Sequence, residues 1–230
     1  MSPRALIFDI DGTLVDSNDA HAAAWSEALA DFYIHRSPGL IRPLIGMGGD
    51  KLLPQLTGID AESPLGKRIA DRRGQHFRDH HLKTVAPFPG VRALFERLAA
   101  DGVRLAIASS AQKNELERLL EIAQVRDLIE HETSADDVAS SKPDPDAVDA
   151  AMARLRVPKD AAIMVGDTPY DIEAARRAGI DAIGFRCGGR SDGELAGAVA
   201  LYDGPAAMLR DYDRRSWQWR VLAAEHATAS

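Results

Sequence analysis

The chain has 230 residues, 45% of them hydrophobic and 27% charged, with a formal net charge of −7. That length suits one well-buried domain, or one domain with an insertion. The acidic balance argues against a nucleic-acid backbone or an acidic membrane as partner, but leaves room for a small anionic substrate in a local cationic pocket.

The first apolar run, Ala5–Phe8, predicts a strand that ends at Asp9. From 16 to 85 no strand pattern is visible. Asp19–Tyr33 places Ala22, Trp25, Ala28, Leu29 and Phe32 at helical spacing, and Lys67–Leu82 is a second candidate helix with Arg and His on its polar face. This block reads as an α-helical insertion, and Pro87-Phe88-Pro89-Gly90 marks the return. Then follow a helix at Val91–Ala100, a strand at Arg104–Ala108 and helices at Gln112–Ala123 and Pro145–Leu155. A strand at Ala162–Val165, a helix at Tyr170–Ala178 stopped by Gly179, and a strand at Ala182–Phe185 complete the series. Strands alternating with helices predict an α/β fold with a parallel sheet covered on both faces, its ligands gathered at the carboxyl ends of the strands. Ser216–Glu225, with Trp217 and Trp219, reads as a short terminal helix. The expected division is a core of 1–15 and 86–212, an insertion of 16–85 and a tail of 213–230.

Cys187 is the single cysteine, which excludes an intrachain disulfide and Cys-x-x-Cys chemistry. No run approaches the ~20 apolar residues of a membrane span. The N-terminus passes directly into the first strand, with no leader pattern. A reducing cytoplasm is therefore the expected compartment.

Four stations carry chemistry. Asp9-Ile10-Asp11-Gly12-Thr13-Leu14 puts two carboxylates, one residue apart, just after a strand. One can attack while the other passes a proton, and Gly12 lets the chain turn away. Ser109, followed by Ser110, ends the Arg104–Ala108 strand. It is either a holder of a phosphoryl oxygen or an ordinary helix cap. Lys142 precedes Pro143, which pushes it out of helical geometry and lets its ammonium project into a crevice. Asp167 and Asp171, in Gly166-Asp167-Thr168-Pro169-Tyr170-Asp171, supply with Asp9 the hard oxygens that suit Mg2+, though Asp171 also fits a helix cap. In a parallel sheet the loops after the strands open on one side, so the four can meet.

This set, in this order, resembles the haloacid dehalogenase superfamily over roughly residues 4 to 210. The resemblance implies a Rossmann-like core with a helical cap between the first two motifs. It implies Asp9 as nucleophile and Asp11 as general acid/base, with Ser109 and Lys142 on the transferring phosphoryl group. Asp9, the Asp11 carbonyl and Asp167 would hold Mg2+, supported by Asp171. The run from Asp16 to His21, with Trp25, is similar to the phosphoglycolate phosphatase and β-phosphoglucomutase branch, and turns His21 toward the substrate. Gly12, Ser110, His21 and Lys51 are the expected substrate contacts.

Asp11 argues against dehalogenation, because the namesake dehalogenases lack an acid there. Caps of the mutase kind usually carry an arginine soon after the glycine matched by Gly46. Here Gly46-Met47-Gly48-Gly49-Asp50-Lys51 offers only Lys51. The expectation is a Mg2+-dependent phosphatase acting on a small phosphorylated metabolite. A phosphosugar mutase is the nearest rival, and a non-catalytic phosphate-binding protein is the rival of another class.

Overall fold

The structure, a computed structural model, describes residues 5–214. Six strands form one sheet: β1 (Ala5–Phe8), β2 (Arg104–Ala108), β3 (His131–Thr133), β4 (Ala162–Gly166), β5 (Asp181–Phe185) and β6 (Ala200–Tyr202). Their order is β3-β2-β1-β4-β5-β6 and every pairing is parallel. β1 and β4 are buried along their whole length, which only near-continuous apolar runs can satisfy in a sheet covered on both faces. Nine helices are described: α1 (Asn18–Ala30), α2 (Pro38–Ile41), α3 (Gly49–Thr57), α4 (Pro64–His76), α5 (Val91–Ala100), α6 (Lys113–Ala123), α7 (Asp146–Leu155), α8 (Pro169–Ala178) and α9 (Pro205–Arg214).

The two-residue period of the strands sorts the core into two halves. Leu6, Phe8, Leu105 and Ile107 point to one face, against Leu94 and Phe95 of α5, Leu116 of α6 and Met208 of α9. Ala5, Ile7, Ala106 and Met164 point to the other, against Val148 of α7 and Ala175 of α8. This is the α/β, Rossmann-like architecture expected from the sequence. The lone pair β1 and β4 sits at the centre, so their carboxyl ends carry Asp9 and Asp167 side by side, with Asp9 N–H donating to the Val165 carbonyl at 2.9 Å.

Between β1 and α5 lie α1 to α4, which share an apolar cluster of their own: Trp25, Leu29, Ile41, Leu52, Leu53 and Ile69. The outgoing and returning chains run together, with Asp16 N–H bonded to Ala86 O and Phe88 N–H to Leu14 O, both at 2.9 Å. The segment after Gly46 is not the loose loop its glycines suggest. Gly48 closes the approach to α3, which continues through Pro54 to a left-handed end at Gly58. Among the described residues no helix is long and apolar enough to cross a membrane. The helix expected at Ser216–Glu225 lies outside the described residues.

Candidate active site

The carboxyl ends of β1 and β4 define the site. Gly12 turns the chain with φ +75°, and a Cβ there would meet Asn18 Nδ2 at 2.0 Å and Asp167 Oδ2 at 2.3 Å, so no side chain fits. The turn aims Thr13 inward, where its hydroxyl donates to Asp167 Oδ1 at 2.9 Å and to Asp9 Oδ2 at 3.3 Å. Asn18, opening α1, donates to the other Asp167 oxygen at 3.0 Å. Lys142 is fully buried and its ammonium bonds both Asp9 Oδ1 and, at 2.7 Å, Asp171 Oδ1. The second Asp171 oxygen accepts from Thr168 N–H at 3.0 Å and from the Thr168 hydroxyl at 2.6 Å. Asp171 therefore caps α8 and anchors Lys142 at once; the two readings of this residue are compatible.

Burial is the dominant electrostatic cost here. It pushes the Asp9 carboxyl well above the usual range, and Lys142 opposes it only in part because Asp171, Asp167 and Asp11 push the same way as burial. Asp167 is pushed up to about 7, first by burial and then by Asp171, against the hydrogen bonds of Thr13 and Asn18. Burial would lower the Lys142 ammonium, but Asp171 and Asp9 outweigh it and hold it above the ordinary lysine range. With all three aspartates ionised, one ammonium would leave two negative charges without compensation. Asp9, Asp167 and Asp171 offer oxygens that lie within 4.8 Å of one another. Such an oxygen set with that charge deficit fits a hard divalent cation.

Asp11 stands apart from this cluster. Its Oδ1 accepts from Ser17 Oγ at 2.5 Å and contacts His21 Nε2 at 2.8 Å. Burial raises its carboxyl, yet His21 and Ser17 prevail and hold it below the usual range. His21 in turn is stacked on Phe77, ring centres 4.1 Å apart. Asp9, Asp11, His21, Trp25, Arg73 and Ser110 are among the residues around a cavity of about 40 Å³.

Two expected contacts, Gly12 and Lys51, fall elsewhere, and Ser109 lies deeper than its neighbour Ser110. Gly12 makes room but binds nothing in the cavity, since its N–H donates to Val15 O at 2.8 Å. Lys51 reaches across to the core, bonding Ser141 O and, at 2.6 Å, Asp144 Oδ2, because those acceptors lie directly beside the start of α3. Ser109 is buried beneath the site, its Oγ accepting from Ala111 N–H at 3.0 Å, and it is Ser110 that lines the cavity. Sequence reasoning missed Thr13, Asn18, Gly188, Arg73 and Glu115. Gly188 is needed because a Cβ would lie 1.7 Å from Asp167 Oδ2. Arg73, on α4, contacts the buried Glu115 of α6. Only Thr13, four residues past Asp9 in the same turn, carried a local signal.

The haloacid dehalogenase-like hydrolase family model matches residues 6–185. A phosphoglycolate phosphatase of Rhodospirillum rubrum is 30% identical over 215 residues, covering 90% of this chain and 89% of its own. Pyrophosphatase PpaX of Oceanobacillus iheyensis is 28% identical over 184 residues, covering 78% and 82%. The crystal structure of a hydrolase from Pseudomonas syringae superposes with a TM-score of 0.85 at 32% identity, covering 91% of this chain and 98% of that one. Motif order, fold and match agree: the chain belongs to the haloacid dehalogenase-like hydrolase family and is a phosphatase of that family.

Proposed function

We propose that the protein hydrolyses a small phosphomonoester with Mg2+, through an aspartyl-phosphate on Asp9. The observation that carries this is the pairing of two unlike carboxylates at one strand end. Asp9 is buried and held by Lys142, whereas Asp11 faces the same cavity joined to an imidazole. A carboxylate oxygen of Asp9 attacks phosphorus, and the bond from phosphorus to the leaving oxygen breaks. That oxygen takes its proton from the Asp11–His21 pair. Water then gives a proton back to the pair and attacks phosphorus, the Asp9 oxygen–phosphorus bond breaks, and inorganic phosphate leaves. His21, bonded to Asp11 Oδ1 at 2.8 Å, positions that carboxyl for both transfers.

Asp9, Asp167 and the Asp11 carbonyl would hold the Mg2+, with Asp171 behind them. A bound ion there supplies neutralising charge for the phosphoryl oxygens. Lys142 adds a second fixed positive charge beside Asp9, and Ser109 and Ser110 sit at the end of β2 where the phosphoryl group would lie.

A cavity of about 40 Å³ holds little more than a water, far below the roughly 300 Å³ of a small-ligand site. Residues 16–85 are accordingly inferred to be a cap that swings open for substrate and shuts for chemistry. The cation facing the cavity, Arg73, is already neutralised by Glu115, which leaves little to hold the second phosphate that a mutase requires. Hydrolysis is the reading we take. The relatives' activities make 2-phosphoglycolate and pyrophosphate the first substrates to try, and the cytoplasm is the inferred compartment.

The test is phosphate release over a panel of small phosphate esters, with wild type and Asp9→Asn, in Mg2+ and in chelator. Turnover should require both Asp9 and the cation. Asp9→Asn turning over at wild-type rate would sink the mechanism.

A further inference from the structure

The outer side of the helical block holds a second group of metal-ligating side chains, separate from the Asp9 cluster and different in chemistry. Glu27 comes from α1 and His76 from the last turn of α4. His80 and His81 come from the turn that follows, Phe77–His81, which is a π-helical turn. His76 and His80 are four apart and share a helix face. His81, five on, would leave that face in a regular α-helix. The wider turn, in which Leu82 N–H bonds back to Phe77 O, returns residue i+5 to the side of residue i.

Three imidazoles thereby converge on one carboxylate. Glu27 Oε2 lies 3.2 Å from His76 Nδ1 and 3.3 Å from His80 Nδ1, and those two nitrogens are 3.4 Å apart. His81 Nε2 is 3.0 Å from the other Glu27 oxygen. For metal–ligand bonds of 2.0–2.1 Å the edge of a tetrahedron is about 3.3 Å, the length of all three sides of the first triangle. The remaining nitrogen of His76 is 2.8 Å from Asp31 Oδ2, and Asp31 is fixed by Arg72. A carboxylate on Nε2 sets the proton there and turns the Nδ1 lone pair toward Glu27, the way ligating histidines are oriented.

Ordinary ion pairing accounts poorly for this geometry. Were all three rings charged, nitrogens 3.4 Å apart would repel, and Glu27 and Asp31 together would leave one positive charge unbalanced. A single divalent ion shared by the four groups removes both objections. Imidazole-rich sites suit zinc and its neighbours, whereas Mg2+ takes oxygen ligands.

We propose that Glu27, His76, His80 and His81 bind one zinc-class divalent ion, with Asp31 as the positioning residue for His76. The ion would clip α1 to the end of α4. It would also fix the turn whose first residue, Phe77, is stacked on His21.

The test uses the untagged full chain, stripped of metal and then kept in excess Mg2+ so that the oxygen site is filled. Co2+ is titrated in and the visible absorption of four-coordinate cobalt is followed, with Zn2+ as competitor. One equivalent should bind and be displaced by Zn2+. His80→Ala/His81→Ala should weaken binding at least about 100-fold, and Asp31→Asn about 10- to 100-fold. His80 is exposed and His81 half-buried, and neither lines the cavity at Asp9, so the double variant should retain phosphate release in Mg2+, which verifies its fold. Asp167→Asn should keep the cobalt spectrum. Absence of a four-coordinate spectrum, or one unchanged in the double variant, overturns the proposal. So does its loss in Asp167→Asn alone, which would place the ion among the aspartates.

Discussion

One guanidinium nitrogen of Arg73 reaches both carboxylate oxygens of Glu115, at 3.0 and 2.7 Å, joining the helical block to the core across the cavity. Glu115 is almost fully buried and Arg73 nearly so, and the guanidinium also lies over the Trp25 ring. Removing one member of a buried pair strands the other, at about 3–5 kcal/mol, while replacing both by apolar groups is close to neutral. Arg73→Ala should therefore lower stability by a few kcal/mol. Arg73→Met/Glu115→Leu should recover most of it. Urea unfolding of the three proteins decides; equal losses in the single and the double variant would mean the pair does not act as a unit.

Asp167 gives the metal-free protein a distinctive pH response. Its folded pKa of about 7 stands above the ordinary 3.8, so between those values the folded state binds a proton that the unfolded chain has released. Stability from this group is complete below the lower value and declines as pH rises toward 7. A divalent cation on the deprotonated cluster reverses the penalty. Thermal unfolding should show a larger gain on adding Mg2+ at pH 8 than at pH 5. An equal gain at both would place the ion away from Asp167.

His21 is expected to act chiefly on Asp11, whose Oδ1 is 2.8 Å from its Nε2, whereas Glu115 lies 4.0 Å from its Nδ1. His21→Gln keeps a hydrogen bond to Asp11 but removes the imidazole that helps to hold its carboxyl below the usual range, so kcat should fall about 100-fold, at the low end of general acid–base effects. The limb of the pH–rate profile that reports Asp11 should move to higher pH while KM changes little. An unaltered profile would mean that His21 does not act through Asp11.

Gly188 offers a test that touches no catalytic group. Its φ is not in the left-handed region, so alanine meets no backbone strain there, yet its Cβ would fall 1.7 Å from Asp167 Oδ2. Gly188→Ala should raise the Mg2+ concentration for half-maximal activity about 10- to 100-fold, as lost ligand support does. Unchanged Mg2+ activation would show that Asp167 is not a ligand.

Much of the fold was legible because its central strands are short apolar runs between turn residues. β3 and β6 escaped. Each is three residues long and partly exposed, and β3 reads His-Glu-Thr, with no apolar run to announce it. α3 was hidden by glycines at its start and Pro54 within it. Asp9, Asp11 and Asp167 stood out in the sequence because position after a strand is itself a signal, and they follow β1 and β4 in the structure. Arg73 and Glu115 did not, since they are 42 residues apart and one stands on a helix of the inserted block, the other on a helix of the core. Lys51 looked like a substrate cation because no sequence pattern shows that Asp144 waits beside it.

The hydrogen bonds of Asp16 to Ala86 and of Phe88 to Leu14 place the two ends of a long insertion next to each other, like the arms of a hairpin. An insertion whose ends are adjacent leaves only one short gap in the backbone of its host. A different block with ends at hairpin spacing would leave the register of every strand as it is, but would have to replace the bonds of Asn18 to Asp167 and of Arg73 to Glu115. Such an exchange alters what faces the cavity, while the sheet keeps Asp9 and Asp167 at the ends of β1 and β4.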